Sequence, residues 1–463
     1  MRKNLFKLLL ITLLVSSTVV LGFGCKGLSG EEKEATARAS LEYWTVFDDV
    51  GVINSLLSPY LAQRQNLKIV VRQFSQDEIY ERLIEALAED KGPDIISVNN
   101  RDMGKYLSKL TAMPASVKDA TVVKIEKNFS NEIVVNTNVI TMPNVRDIQR
   151  NYVQVVEGDV VRGDKIYGLP LSLDTMALFY NKDLLDRGSI AEPPKTWDEF
   201  QEAVKILTKI DSKTGEIIQS GTALGLSDNI SGADDLFYIL FKQSGLDFVT
   251  DNGRAVFNYV PRNTNVSPPS MNVIDFFTDF ANPDRDTYTW NADQDNALDK
   301  FARGSLAFFF GYSYHLPQIK ARGPQLNFEV LPMLQLNVEK PINVANYWVQ
   351  TVLKKSKNQE EAWSVINYLA NTETNNKYLQ ATRRPTARRA NIINQKDDEL
   401  LGPFVSQVLV ADNWYHGKNY NVAKRAIGDL FSNWINISSD ERKPLEAKKN
   451  IMDRAASIFN QSL

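Results

Sequence analysis

The sequence predicts an α/β protein with two cores. Three observations predict it. Short, nearly continuous apolar runs alternate with amphipathic helical patterns; those runs are too apolar to face water on either side; and the chain has 463 residues. Strands buried on both faces belong to parallel sheets covered by helices. One core rarely grows past about 250–300 residues, so two domains are expected.

The chain opens with MRKNLFKLLLITLLVSSTVVLGFGC. Arg2, Lys3 and Lys7 precede an apolar run over 8–24, which ends at Cys25, the only cysteine. This is the plan of a secretory leader. It resembles a bacterial lipoprotein signal, which implies a lipid on Cys25 and a membrane anchor there. An uncleaved signal anchor, near the ~20 residues that span a bilayer, and ordinary cleavage are the alternatives. All three export the rest of the chain. Residues 25–40 read as the tether point and a solvated linker without hydrophobic period.

From there the elements come in order. LEYWTV (41–46) is a β-forming run. Val52, Ile53, Leu56, Leu57, Tyr60 and Leu61 recur at helical spacing. LKIVV (67–71) is the next strand. Ser75 and Glu78 form a capping box before a helix with Ile79, Leu83 and Leu87 inward. A strand over 94–98 completes a β-α-β-α-β unit. Residues 113–161 mix β-like runs with Asn-rich breaks and take no firm assignment. PPKTWDEF starts a helix, with Thr196 as cap, Glu199 closing the box, and Trp197, Phe200, Val204 and Leu207 as its stripe. SLAFFF, FEVLPM and YWVQTVL read as strands. NQEEAWSVINYLA reads as a capped helix, and the tail from Pro403 as mostly helical.

Composition narrows the function. A net charge of −3 gives no electrostatic case for nucleic acid. The two histidines, His315 and His416, lie far apart in sequence, so no zinc-type cluster and no Ser/His/Asp arrangement is evident. No P-loop pattern is present. No metal or cofactor is expected.

Four stretches carry a family resemblance: YGLPLSLDTMALFYNKDLL with PPKTWDEF, ALDKFARGSLAFFFGYSYHL, FEVLPM leading to NYWVQTVLKKSKNQEEAWSVINYLA, and GPDIISV. In order and spacing the chain resembles the extracellular solute-binding proteins of ABC importers, family 1, in the maltose-binding-protein-like branch. The resemblance implies the two-lobed periplasmic-binding-protein fold (type II), with ligand in a hinged cleft. It also implies a sugar as ligand, a membrane permease as partner, and a monomer as the working form. Projected here, one lobe is 41–172 plus 346–380, and the other is 173–345 plus 381–463.

Ligands of open α/β sheets sit beyond the carboxyl ends of strands. That rule, with the resemblance at the crossovers, selects Trp44 and Asp48 after the first strand, Asn99 and Asn100 after the third, and Asp174, Tyr312, Tyr314 and Trp348 at later ends. Trp290, Trp414 and Tyr420 are further aromatic candidates. Aromatic rings cover the C–H face of a pyranose, and carboxylates and amides take its hydroxyls. Trp44 and Trp348 also fit a core role, Trp290 a surface loop, and Asp48 a helix cap. Trp197 and Trp363 read as core. RRPTARRA (383–390) reads as solvated surface, or as a site for an anionic ligand or the transporter. A peptide, polyamine or organic phosphate is the alternative ligand, and a ligand sensor the alternative role. Glycoside hydrolysis would need opposed carboxylates; Asp234–Asp235 and Asp293–Asp295 are candidates by type alone.

Overall fold

A computed structural model of the chain describes residues 36–127, 130–259, 268–437 and 444–463. The leader, Cys25 and most of the linker lie outside the described residues. Among the described residues no helix is long and apolar enough to cross a membrane.

Two hydrophobic cores form. One gathers side chains from Leu41 to Leu173 and again from Ala345 to Ala387, with Val408 and Ala411. The other gathers Met176 to Val344 and Leu401 to Phe459. The first core sits on a five-stranded sheet. Strand Ala39–Val46 lies between Leu67–Phe74 and Ile95–Asn99 and runs parallel to both, which is the expected β-α-β-α-β unit. The sheet is not parallel throughout. Trp348–Val352 arrives from the other lobe and pairs antiparallel with Ile95–Asn99, in register Trp348 to Asn99. The second sheet departs further: only Ile217–Thr222 with Leu306–Gly311 is a parallel pair, and Ala177–Asn181 is antiparallel to both its neighbours. Burial on both faces is what the apolar runs encode, and it does not fix strand direction.

Residues 113–161 resolve into a long hairpin, Ser116–Lys127 with Ser130–Thr141, and two short helices, Val145–Asn151 and Gln154–Val160. The hairpin docks on the first lobe through a buried ion pair between Arg64 and Asp119, with Arg64 Nε donating to Asp119 Oδ1 at 2.9 Å. Thr196 caps helix Trp197–Leu207 as the sequence suggests, its hydroxyl accepting from Glu199 N. Helix Gln359–Ala370, read from the sequence as capped, has no side-chain cap hydrogen bond; the Asn358 amide at its start donates instead to Asp94 and to the Ser40 carbonyl.

The cores meet at a three-stranded ribbon. Asn343–Asn346 pairs antiparallel with Asp174–Thr175 and parallel with Ala411–Asp412. Along it Val344 packs into one core and Ala345 into the other. The chain crosses between lobes here, so this ribbon is the place where a hinge rotation is absorbed.

Candidate ligand cleft

Asp174 sits on the ribbon and is 8% exposed. It accepts from Ser313 Oγ at 2.6 Å, from Tyr314 N at 3.4 Å and from Thr175 N at 3.0 Å. Burial raises its pKa from the ordinary carboxylate value to about 6, against the pull of those hydrogen bonds and Arg384. Phe47 faces it from the first lobe in the left-handed region, at φ 64°. A bulky aromatic there is strained, and such strain gathers at functional sites. Arg384 holds the turn by donating to the Phe47 carbonyl at 2.8 Å. The Phe47 ring stacks on Tyr314 of the second lobe at 5.3 Å and 12°, and meets Trp348 edge-on at 6.2 Å. Tyr312 continues the stack behind Tyr314 at 5.5 Å. Together Phe47, Ser172, Asp174, Ser313, Tyr314 and Trp348 help enclose a cavity of about 20 Å³, room for one water molecule. The seam is shut.

A second contact lies deeper. Arg101 of the first lobe forms a 2.8 Å ion pair with Asp235 of the second, with side-chain exposures of 4% and 1%. Trp414 Nε1 and Tyr312 Oη donate to the same carboxylate. Arg101 also donates to Tyr420 Oη at 2.9 Å, and that hydroxyl donates on to Asp234. Nearby, Asp159 of the first lobe accepts from Asn413 Nδ2 at 2.6 Å and lies 3.2 Å from His416 Nε2.

The structure brings Asp174, Tyr312, Tyr314, Trp348, Trp414 and Tyr420 to the seam. Other predicted residues lie elsewhere or are otherwise engaged. Trp290 is fully buried in the second core and donates to Asn229 at 2.8 Å, so it is neither a platform nor a surface residue. Trp44 packs on Phe74 at 4.6 Å and donates to Glu42. Asp48 accepts from Thr45 and Tyr378 within its own lobe, and the helix is capped by Asp49 instead. Asn99 and Asn100 bond the crossover, through Asn346 Oδ1 and the Ala345 carbonyl. Arg384, Arg388 and Arg389 of the basic run bond backbone carbonyls, so that run is not simply solvated. Asp234 and Asp235 are neighbours on helix Ala233–Gln243 rather than opposed across a gap. Asp293 and Asp295 are exposed. Phe47 and Arg101 had only their place in strand-end loops to mark them. A larger groove, about 820 Å³, opens on the outside of the first lobe between the hairpin and helix Gln359–Ala370. Its walls are charged, with Tyr60 the only ring among the described residues. Among the described residues no group of His, Cys, Asp and Glu is placed to hold a metal ion.

Two cores joined by a hinge ribbon, with rings and a carboxylate at the seam, define a two-lobed binding protein. The chain belongs to the bacterial extracellular solute-binding protein family, which it matches over residues 52–376. A Brucella abortus protein described as a putative binding protein is 23% identical over half of this chain, and the similarity spans 54% of that relative's length. A Deinococcus radiodurans protein described as a probable ABC transporter-binding protein is 22% identical over 67% of this chain and 73% of its own. Among solved structures, a Thermotoga lettingae ABC transporter solute-binding protein bound with α-D-tagatose superposes with TM-score 0.66 and 20% identity, covering 91% of this chain and 99% of that one. The cyclic α-maltosyl-1,6-maltose binding protein of Arthrobacter globiformis does so with TM-score 0.67 and 16% identity, covering 92% and 99%.

Proposed function

We propose that the chain captures a carbohydrate, an oligosaccharide in the first instance, between its lobes and delivers it to an ABC permease. The observation that carries this reading is the Phe47–Tyr314–Trp348 ring group beside Asp174, drawn from both lobes. Rings suit a sugar's C–H face, and a buried carboxylate with a raised pKa is a strong acceptor for its hydroxyls. A ligand gripped by both lobes favours the closed form. The α-D-tagatose complex of the Thermotoga protein, and the description of the Arthrobacter protein as a cyclic α-maltosyl-1,6-maltose binding protein, support the same reading. ATP hydrolysis belongs to other subunits, and binding itself involves no catalysis. Cys25 is the lipid attachment point that keeps the receptor on the outer face of the membrane, as a monomer.

A thermal-shift screen over mono- and oligosaccharides tests it, because a ligand of the folded state raises the melting temperature. Binding near micromolar, about −8 kcal/mol, is expected. Asp174→Ala and Trp348→Ala should weaken it with the circular-dichroism spectrum unchanged. Normal binding by both folded variants would remove this site. Cys25→Ala should release the protein from the membrane fraction.

A further inference from the structure

The box around Asp235 is built for a cation. Its walls come from the second lobe: Asp234 and Asp235 on helix Ala233–Gln243, Tyr312, Trp414 and Tyr420. Its occupant, the Arg101 guanidinium, comes from the first lobe, 5.1 Å from the Tyr420 ring and 6.0 Å from Trp414. A positive charge over aromatic faces and against carboxylates is a recognition geometry in its own right. The fit is incomplete. Two carboxylates face one guanidinium, Asp234 is 2% exposed with no hydrogen-bond partner on Oδ1, and Arg101 Nε has none either. Separating the lobes withdraws Arg101 and leaves a box of two carboxylates and three rings with no cation.

We propose that this box takes a protonated amine of the transported ligand in place of Arg101, so that the ligand is an amine-bearing carbohydrate and Arg101 is its resident competitor. This deepens the carbohydrate reading and rests on it. A neutral hydroxyl can donate to either carboxylate but leaves their negative charge uncompensated, whereas an ammonium restores the charge that Arg101 removes.

The test is titration calorimetry at about neutral pH and low ionic strength with four probes: a glucosamine tetramer, its N-acetylated counterpart, maltotetraose and spermidine. The glucosamine tetramer should bind at least about tenfold more tightly than its N-acetylated form. Asp235→Asn should erase that preference, and Arg101→Ala should strengthen glucosamine binding severalfold. Equal or tighter binding of the N-acetylated or neutral glycan overturns the inference and leaves the carbohydrate reading standing. Binding of spermidine alone overturns the carbohydrate reading and keeps the amine box. Weaker or unchanged glucosamine binding in folded Arg101→Ala overturns the competitor role. Binding of no probe overturns the inference. The comparison of probes on the unaltered protein decides the matter even where Asp235→Asn fails to fold.

Discussion

Asp174 is a carboxylate kept under tension. Burial raises its pKa to about 6. Between the ordinary carboxylate range and that value the folded chain binds more protons than the unfolded chain. Stability therefore falls as pH rises through that window, and the cost of the ionised group is fully present above it. Asp174→Asn should accordingly be more stable than the parent by about 1–3 kcal/mol in denaturant titrations at pH 7, with the difference gone at pH 4. Ligand affinity should move the other way: if hydroxyls bind the ionised form, affinity drops about tenfold from pH 7 to pH 5. Legibility at this scale was uneven. Asp174 and Tyr314 could be found because strand ends and family order point to them. Trp290 could not be placed, since its polar surroundings in sequence conceal the apolar core that buries it and Asn229, the acceptor for its indole N–H. Asp234 and Asp235 carried no sign of Arg101, because an ion pair between distant segments leaves no local pattern.

The elements read well where period decides and poorly where pairing does. Helix Trp197–Leu207 announces its cap and stripe, and Ile95–Asn99 its burial. The hairpin over Ser116–Thr141 was illegible because both its faces are mixed: Val139 is 69% exposed beside buried Val117 and Val122. What anchors it includes Arg64, in the turn after helix Val50–Ala62. Asp119→Ala should cost about 3–5 kcal/mol in equilibrium unfolding, and Arg64→Met with Asp119→Leu should recover most of that, as a buried pair replaced whole is tolerated. The short helix Met103–Tyr106 makes a different prediction. A Cβ on Gly104 would lie 2.4 Å from the Gly417 carbonyl oxygen of the opposite lobe. Alanine suits a helix, so Gly104→Ala should fold normally yet resist closure. Overpacking of about 1–3 kcal/mol would shift the unliganded population toward the open form about 5- to 150-fold, read as a larger radius of gyration in small-angle scattering.

At the scale of the molecule, apolar patterning and length announce two cores, but Ala387, Val408 and Ala411 of the stretch projected for the second lobe pack into the first core. The closed arrangement was not visible, for it rests on contacts such as Arg101 with Asp235, Phe47 with Tyr314, and Asp159 with Asn413, each made between lobes. Breaking a buried pair by removing one partner costs about 3–5 kcal/mol, enough to invert a closed population. Small-angle scattering of unliganded Arg101→Ala should thus give a larger radius of gyration than the parent, and added ligand should reduce it.

A seam with room for one water admits no sugar. Capture must wait for the lobes to part, so diffusion does not set its pace. In stopped-flow mixing the observed rate should climb with ligand concentration and then level off at the rate of opening, and the apparent dissociation constant should exceed the intrinsic one by the reciprocal of the open fraction.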